Sequence, residues 1–130
     1  MIRGVGLDVV DVTAFTEQVQ DGASSFVEAT FTRQERVDCD ASRDRIRSLA
    51  ARWAAKEAFL KAWSSSRRGM DPAQDTPRWQ EIEVALDPWH RPTLILHGET
   101  ARLAARPRCH LSISHDGGVA AAVVILEESP

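Results

Sequence analysis

Apolar residues recur at two different periods along this chain, and each change of period marks an element. In residues 2–10, Val5, Leu7 and Val9 alternate with Gly4, Gly6 and Asp8, the two-residue rhythm of a strand. Asp8 therefore lies on the less apolar face of an otherwise hydrophobic element. Asp11 or Thr13 can cap a helix running towards Val19, with Asp21-Gly22 as its end. Thr32 and Glu35 stand at capping-box spacing and open a second short helix. Residues 42–63 contain good helix formers and no Gly or Pro, and they predict the main helix. Its stripe is Leu49, Trp53, Leu60 and Trp63. Ala50, Ala51, Ala54, Ala55, Ala58 and Ala62 give it a small-residue surface that another backbone could approach closely. Lys56 falls inside the apolar stripe, and a break of that kind marks a functional or strained site. Glu57 and Lys61 are i,i+4 neighbours on the flank.

Beyond the helix the period returns to two. Residues 64–79 carry serines, arginines, a glycine and prolines and read as a long loop. Residues 81–86 and 93–97 form a hairpin across the turn from Asp87 to Pro92. A short helix over 99–106 stops at Pro107. Residues 109–114 place Leu111 and Ile113 on one side and His110, Ser112 and Ser114 on the other. Asp116-Gly117-Gly118 turns the chain into 119–126, an apolar run typical of a buried central strand. The pattern predicts an α+β fold in one domain, 1–130, with one long helix packed on an antiparallel sheet.

Composition narrows the function. A net charge of -3 lacks the basic footprint of a nucleic-acid binder. No apolar run is long enough to span a bilayer, and the first residues lack a signal-peptide core, so the expected location is the cytoplasm. Cys39 and Cys109 lie far apart without metal-ligand spacing, and two reduced thiols are the simpler reading. Lys56 and Lys61 are the only lysines, and every other cation is arginine. The two residues are not interchangeable, and an ammonium beside a carboxylate suits a phosphate site.

Three constellations could carry chemistry. Asp8 and Glu57 are two hard oxygen ligands, the number Mg²⁺ takes from a protein when phosphates and waters complete its shell. Equally, Asp8 could end a turn and Glu57 pair with Lys61 on a solvated face. Arg52, Lys56 and Lys61 run into Ser64-Ser65-Ser66-Arg67-Arg68-Gly69, a stretch able to hold a polyphosphate or simply to complement the helix dipole. Ser112-Ile113-Ser114-His115 ends a strand with polar groups, too close in sequence for a catalytic triad.

Taken in order, Gly4-Val5-Gly6-Leu7-Asp8-Val9-Val10, Phe31-Thr32 with Glu35, Arg52-Trp53-Ala54-Ala55-Lys56-Glu57-Ala58 with Lys61, and Leu111-Ser112-Ile113-Ser114-His115 resemble the holo-acyl-carrier-protein synthase family. This is the small trimeric class of 4′-phosphopantetheinyl transferases, and its actinobacterial members are the most similar. The resemblance implies the 4′-phosphopantetheinyl transferase fold assembled as a homotrimer, with clefts between neighbouring subunits. It implies transfer of the phosphopantetheine arm of coenzyme A to a serine of an apo acyl carrier protein or synthase carrier domain, as in fatty acid biosynthesis. Adenosine 3′,5′-bisphosphate would leave. By position, Asp8 and Glu57 would hold Mg²⁺, Glu57 would be the candidate base, and Lys61 would bind phosphate. Arg52 and His115, with Ser64 and Ser114, would bind coenzyme A, and Arg91-Pro92 would lie near its adenine. Lys56 would orient Glu57 or the acceptor serine.

Two departures from the family stand out. Ser64-Ser65-Ser66 follows Trp63 where the family often has Gly-Thr-Gly. The first helix, basic in many members, here carries Asp11, Glu17 and Asp21 and no Lys or Arg, which leaves the arginines at 33, 36, 43, 45 and 47 to meet the carrier. A coenzyme A or nucleotide-binding module without catalysis, and a Mg²⁺-dependent phosphohydrolase, are the other readings of the same residues.

Overall fold

The computed structural model describes residues 1–21 and 25–130. β1 (Ile2–Asp11) leads into α1 (Val12–Gln20), followed by α2 (Phe26–Thr30), α3 (Arg33–Asp40) and the long α4 (Arg45–Ser66). A 3₁₀ turn at Trp79–Glu81 precedes β2 (Ile82–Leu86) and β3 (Pro92–Leu96). α5 (Gly98–Leu103), β4 (Arg108–Asp116) and β5 (Val119–Glu127) complete the chain. The three-stranded sheet runs β1-β5-β4 and is antiparallel, and β2-β3 forms a separate hairpin. The apolar run of β5 is thus the central strand, as its composition predicts.

The caps follow the sequence closely. Asp11, rather than Thr13, caps α1, accepting from the Thr13 N–H at 3.0 Å. The helix stops at Gln20, and Gly22 lies outside the described residues. At α3 both halves of the capping box form: Thr32 N–H donates to Glu35 Oε1 at 3.0 Å and Glu35 N–H to Thr32 Oγ1 at 3.1 Å. α4 begins three residues later than the propensity pattern indicates, because Asp44 accepts from Arg47 N–H at 3.0 Å and sets the cap there. It also runs through Ser64 to Ser66, so the loop is shorter than 64–79. α2 has only five residues and too little pattern to read; it brings Phe26 edge-on to Trp53, 5.1 Å between ring centroids.

β1 presents its faces against first intuition. Val5, Leu7 and Val9 are 52%, 60% and 61% exposed, whereas Gly4, Gly6 and Asp8 face α4 and are buried. Size decides this. A Cβ on Gly4 would collide with the Ala62 carbonyl, and one on Gly6 with the Ala58 carbonyl and the Ala62 nitrogen. Only a strand without side chains at these two positions can lie this close to the alanine face of α4. The side chain of Ser65 accepts the Val5 N–H at 3.3 Å and so ties the strand edge to the helix. We predict that Gly6→Ala lowers unfolding stability by roughly 1–3 kcal/mol, the usual cost of forcing volume into a packed contact. Urea unfolding measures this, and an unchanged midpoint would mean that β1 does not sit so near.

Candidate active site

Asp8 points from the inner face of β1 to the flank of α4, where two side chains meet it. Lys61 Nζ lies 3.0 Å from Asp8 Oδ1 and donates to the Leu7 carbonyl at 3.1 Å. Glu57, one helical turn earlier, is close enough to donate a hydrogen bond to Asp8 when protonated. Partial burial, then the negative charge of Asp8, raises the Glu57 pKa; the Lys61 ammonium opposes them, and the hydrogen bond to Asp8 raises it further. The Asp8 side chain is nearly enclosed, while that of Lys61 is more than half exposed. One buried acid, one partly buried acid with an elevated pKa and one solvent-facing ammonium therefore share a single spot.

Such a pair fits a hard divalent cation. It offers oxygens only, and few of them, so water and phosphate oxygens would have to complete the shell. Among the described residues no group of three His, Cys, Asp or Glu side chains gathers to hold a metal, at this site or at another.

Lys56 goes elsewhere. It is fully buried, with Nζ 2.8 Å from Glu35 Oε1, and it donates to the Trp79 and Ile82 carbonyls at 2.7 and 2.5 Å. Burial lowers its pKa and Glu35 opposes that shift. With its three donors spent inside the protein, Lys56 has none for a substrate, which corrects the expectation of substrate contact. Arg52 also turns inward: Nη1 donates to Ser48 Oγ at 2.7 Å, and Nε is buried without a hydrogen-bond partner among the described residues.

The remaining predicted residues lie apart from the carboxylate pair. Ser64 is exposed on the last turns of α4. Arg91 is held in the hairpin turn by Asp87 at 2.6 Å and lies against the exposed Trp89 ring, with Pro92 beginning β3. Ser114 and His115 end β4 opposite Ala121 and Ala120, so they point to opposite faces. β5 separates β4 from β1, which puts these residues roughly 10 Å from Asp8 across the sheet. Arg47 Nη2 donates to the Gly117 carbonyl at 3.0 Å and ties the turn after His115 to α4. Among the described residues, no hydrogen bond or ion pair joins Arg91, Ser64, Ser114 or His115 to Asp8, Glu57 or Lys61. Cys39 and Cys109 are free, and burial raises both thiols, Cys109 to about 11, so neither is a ready nucleophile.

Fold and site together define an α+β protein that gathers two carboxylates and a lysine at the contact between β1 and α4. Residues 4–124 match the profile of the 4′-phosphopantetheinyl transferase superfamily. The holo-[acyl-carrier-protein] synthase of Nocardia farcinica is 46% identical over 128 residues, covering 98% of this chain and 88% of that protein. The Mycobacterium ulcerans synthase is 48% identical over 129 residues, covering 98% of each. Among solved structures, the Chronobacterium ammoniagenes synthase–coenzyme A complex superposes with a TM-score of 0.88 at 41% identity, covering 98% of both chains. The Mycobacterium tuberculosis acyl carrier protein synthase gives 0.81 at 43% identity, covering 99% of this chain and 100% of that one. The chain belongs to the 4′-phosphopantetheinyl transferase superfamily.

The elevated Glu57 pKa has a consequence for stability. The folded state keeps the Glu57 proton above the ordinary glutamate range, where the unfolded chain has lost it. Stability should therefore fall as pH rises from the ordinary glutamate value to the elevated one. Asp8→Asn removes one source of the elevation and should flatten that slope. Urea unfolding across this pH range reads it, and an identical slope in the variant would place Asp8 out of reach of Glu57.

Proposed function

We propose that this protein transfers the 4′-phosphopantetheine group of coenzyme A to a serine of an apo acyl carrier protein or carrier domain. The observation that carries the reading is the meeting of Asp8, Glu57 and Lys61 at one point of the β1–α4 contact. Nearly full-length likeness to holo-[acyl-carrier-protein] synthases, one of them solved with coenzyme A, supports it.

In this reading the serine Oγ attacks the phosphorus that bears the pantetheine arm. A new P–O bond forms to serine, the diphosphate bridge breaks, and adenosine 3′,5′-bisphosphate leaves. Glu57 accepts the serine proton, directly or through a water molecule. The charge of Asp8 beside it favours proton uptake by Glu57. Lys61, with its ammonium open to solvent, offsets charge growing on the leaving phosphate. Asp8 and Glu57 would hold Mg²⁺, which when bound neutralises charge on the diphosphate.

The outer face of the sheet supports a homotrimer. Val5, Leu7 and Val9 on β1, more than half exposed, stand beside the partly buried Val123 and Ile125 on β5 and form a continuous apolar face. In such an assembly Ser114, His115 and Arg91 of one subunit would serve a neighbour's carboxylate pair. Among the described residues no helix is long and apolar enough to cross a membrane; a cytoplasmic reaction is part of this proposal.

Intact-mass measurement of an apo carrier protein with coenzyme A and Mg²⁺ tests the function. The wild type should add one phosphopantetheine per carrier, and Glu57→Gln should lower turnover by about 10²–10⁴-fold while coenzyme A still binds. Coenzyme A breakdown without any carrier would instead favour a hydrolase. Light scattering tests the assembly: Leu7→Lys should give monomers with little turnover, and a trimer that survives the substitution would rule this face out as the contact.

A further inference from the structure

Phe31-Thr32-x-x-Glu35 is the motif for which the transfer reaction finds no task. We infer that Glu35, acting through Lys56, is a positioning residue: it sets the rotation of α4 about its axis and so aims Glu57 at Asp8. The inference deepens the transferase reading and rests on it.

Lys56 and Glu57 are consecutive on α4, so their directions differ by about 100°. The direction of one dictates that of the other as long as the helix is regular. Lys56 is held from three sides, by Glu35 of α3, the Trp79 carbonyl of the 3₁₀ turn and the Ile82 carbonyl of β2. An ammonium has three donors, and all three are engaged in one buried place. Its Nζ also lies 5.5 Å from the centre of the Phe31 ring, the other end of the motif.

Glu35 is equally constrained. Oε1 accepts from Thr32 N–H and from Lys56, and Oε2 accepts from Val84 N–H at 3.0 Å. The capping box thus builds a rigid socket rather than only ending a helix. The opposite side of α4 has no comparable key. There Ala58 and Ala62 meet Gly4 and Gly6, a contact that sets how near β1 lies, and the side-chain ties on that side, Ser65 to the Val5 N–H and Lys61 to Asp8 and the Leu7 carbonyl, are made by exposed residues rather than by a buried one. Distance is fixed on one flank and rotation on the other. A buried ion pair is weak support for stability, because apolar residues of similar size often serve as well. Fixing a geometry is the use that remains.

The test removes both charges together, as Glu35→Gln/Lys56→Met. We expect a folded protein whose turnover falls about ten- to a hundredfold, the effect of a misplacement on the ångström scale. The KM for coenzyme A should change less than kcat, since only the Glu57 side of the site moves. A folded double variant with wild-type turnover overturns the inference. A crystal structure of the same variant reads it without activity: the Glu57 carboxylate should lie out of hydrogen-bond reach of Asp8, and an unmoved carboxylate overturns it. Should that variant not fold, Lys56→Arg keeps the charge but replaces a three-way ammonium with a planar fork, and the same two readouts apply. A wild type inactive on every carrier would count against the transferase reading alone, because the crystallographic readout stands by itself.

Discussion

The close approach of β1 to α4 is the constraint on which the remaining structure depends. Two glycines on the strand and two alanines on the helix let the backbones come together, and a Cβ at either glycine would strike a carbonyl. Asp8 lies on the same face as Gly4 and Gly6, so it is carried to the flank of the helix where Glu57 and Lys61 emerge. The contact explains both the buried carboxylate and the outward turn of Val5, Leu7 and Val9. A strand with bulky residues inward would have placed Asp8 farther from its partners.

Much of this was legible in the sequence, and the parts that were not have physical reasons. Strands and helices could be read because their periods are local, and the Thr32–Glu35 capping box because its geometry is set by a spacing of three residues. The long helix was clear, but its start at Arg45 was decided by the Asp44 cap rather than by propensity. Asp8 and Glu57 could be nominated but not joined, since their meeting depends on a tertiary contact between residues 49 positions apart. Lys56 was noticed as a break in an apolar stripe, yet the same break fits a ligand and a buried ion pair. Only the position of Glu35 distinguishes them, and Glu35 signalled nothing beyond its cap. The inward turn of Arg52 was similarly invisible, because its burial depends on how other elements pack on α4, although its partner Ser48 lies only one turn back.

The site divides its work by burial. Lys56 and Glu35 lie in the interior and hold elements together. Asp8 is covered on one side, Glu57 is partly covered, and Lys61 faces water. Electrostatics follows that gradient: partial burial and a like charge raise Glu57, and the Lys61 ammonium, bonded to Asp8 and the Leu7 carbonyl, keeps a solvent-facing side for an incoming anion. Under the proposed function this is the order a phosphoryl transfer needs, with a base held at a fixed place and charge compensation at the mouth. The groups around β4 and the β2–β3 turn stay outside this arrangement in one chain, and under the proposed assembly a neighbouring copy brings them in.

A crystal grown with coenzyme A and Mn²⁺, the manganese serving as an anomalous marker for Mg²⁺, tests the central claim most directly. The account predicts a single strong anomalous peak touching one oxygen each of Asp8 and Glu57, with the diphosphate on its far side and the Lys61 ammonium against a phosphate oxygen. A diphosphate bound elsewhere, with the two carboxylates turned apart and no ion between them, would contradict it.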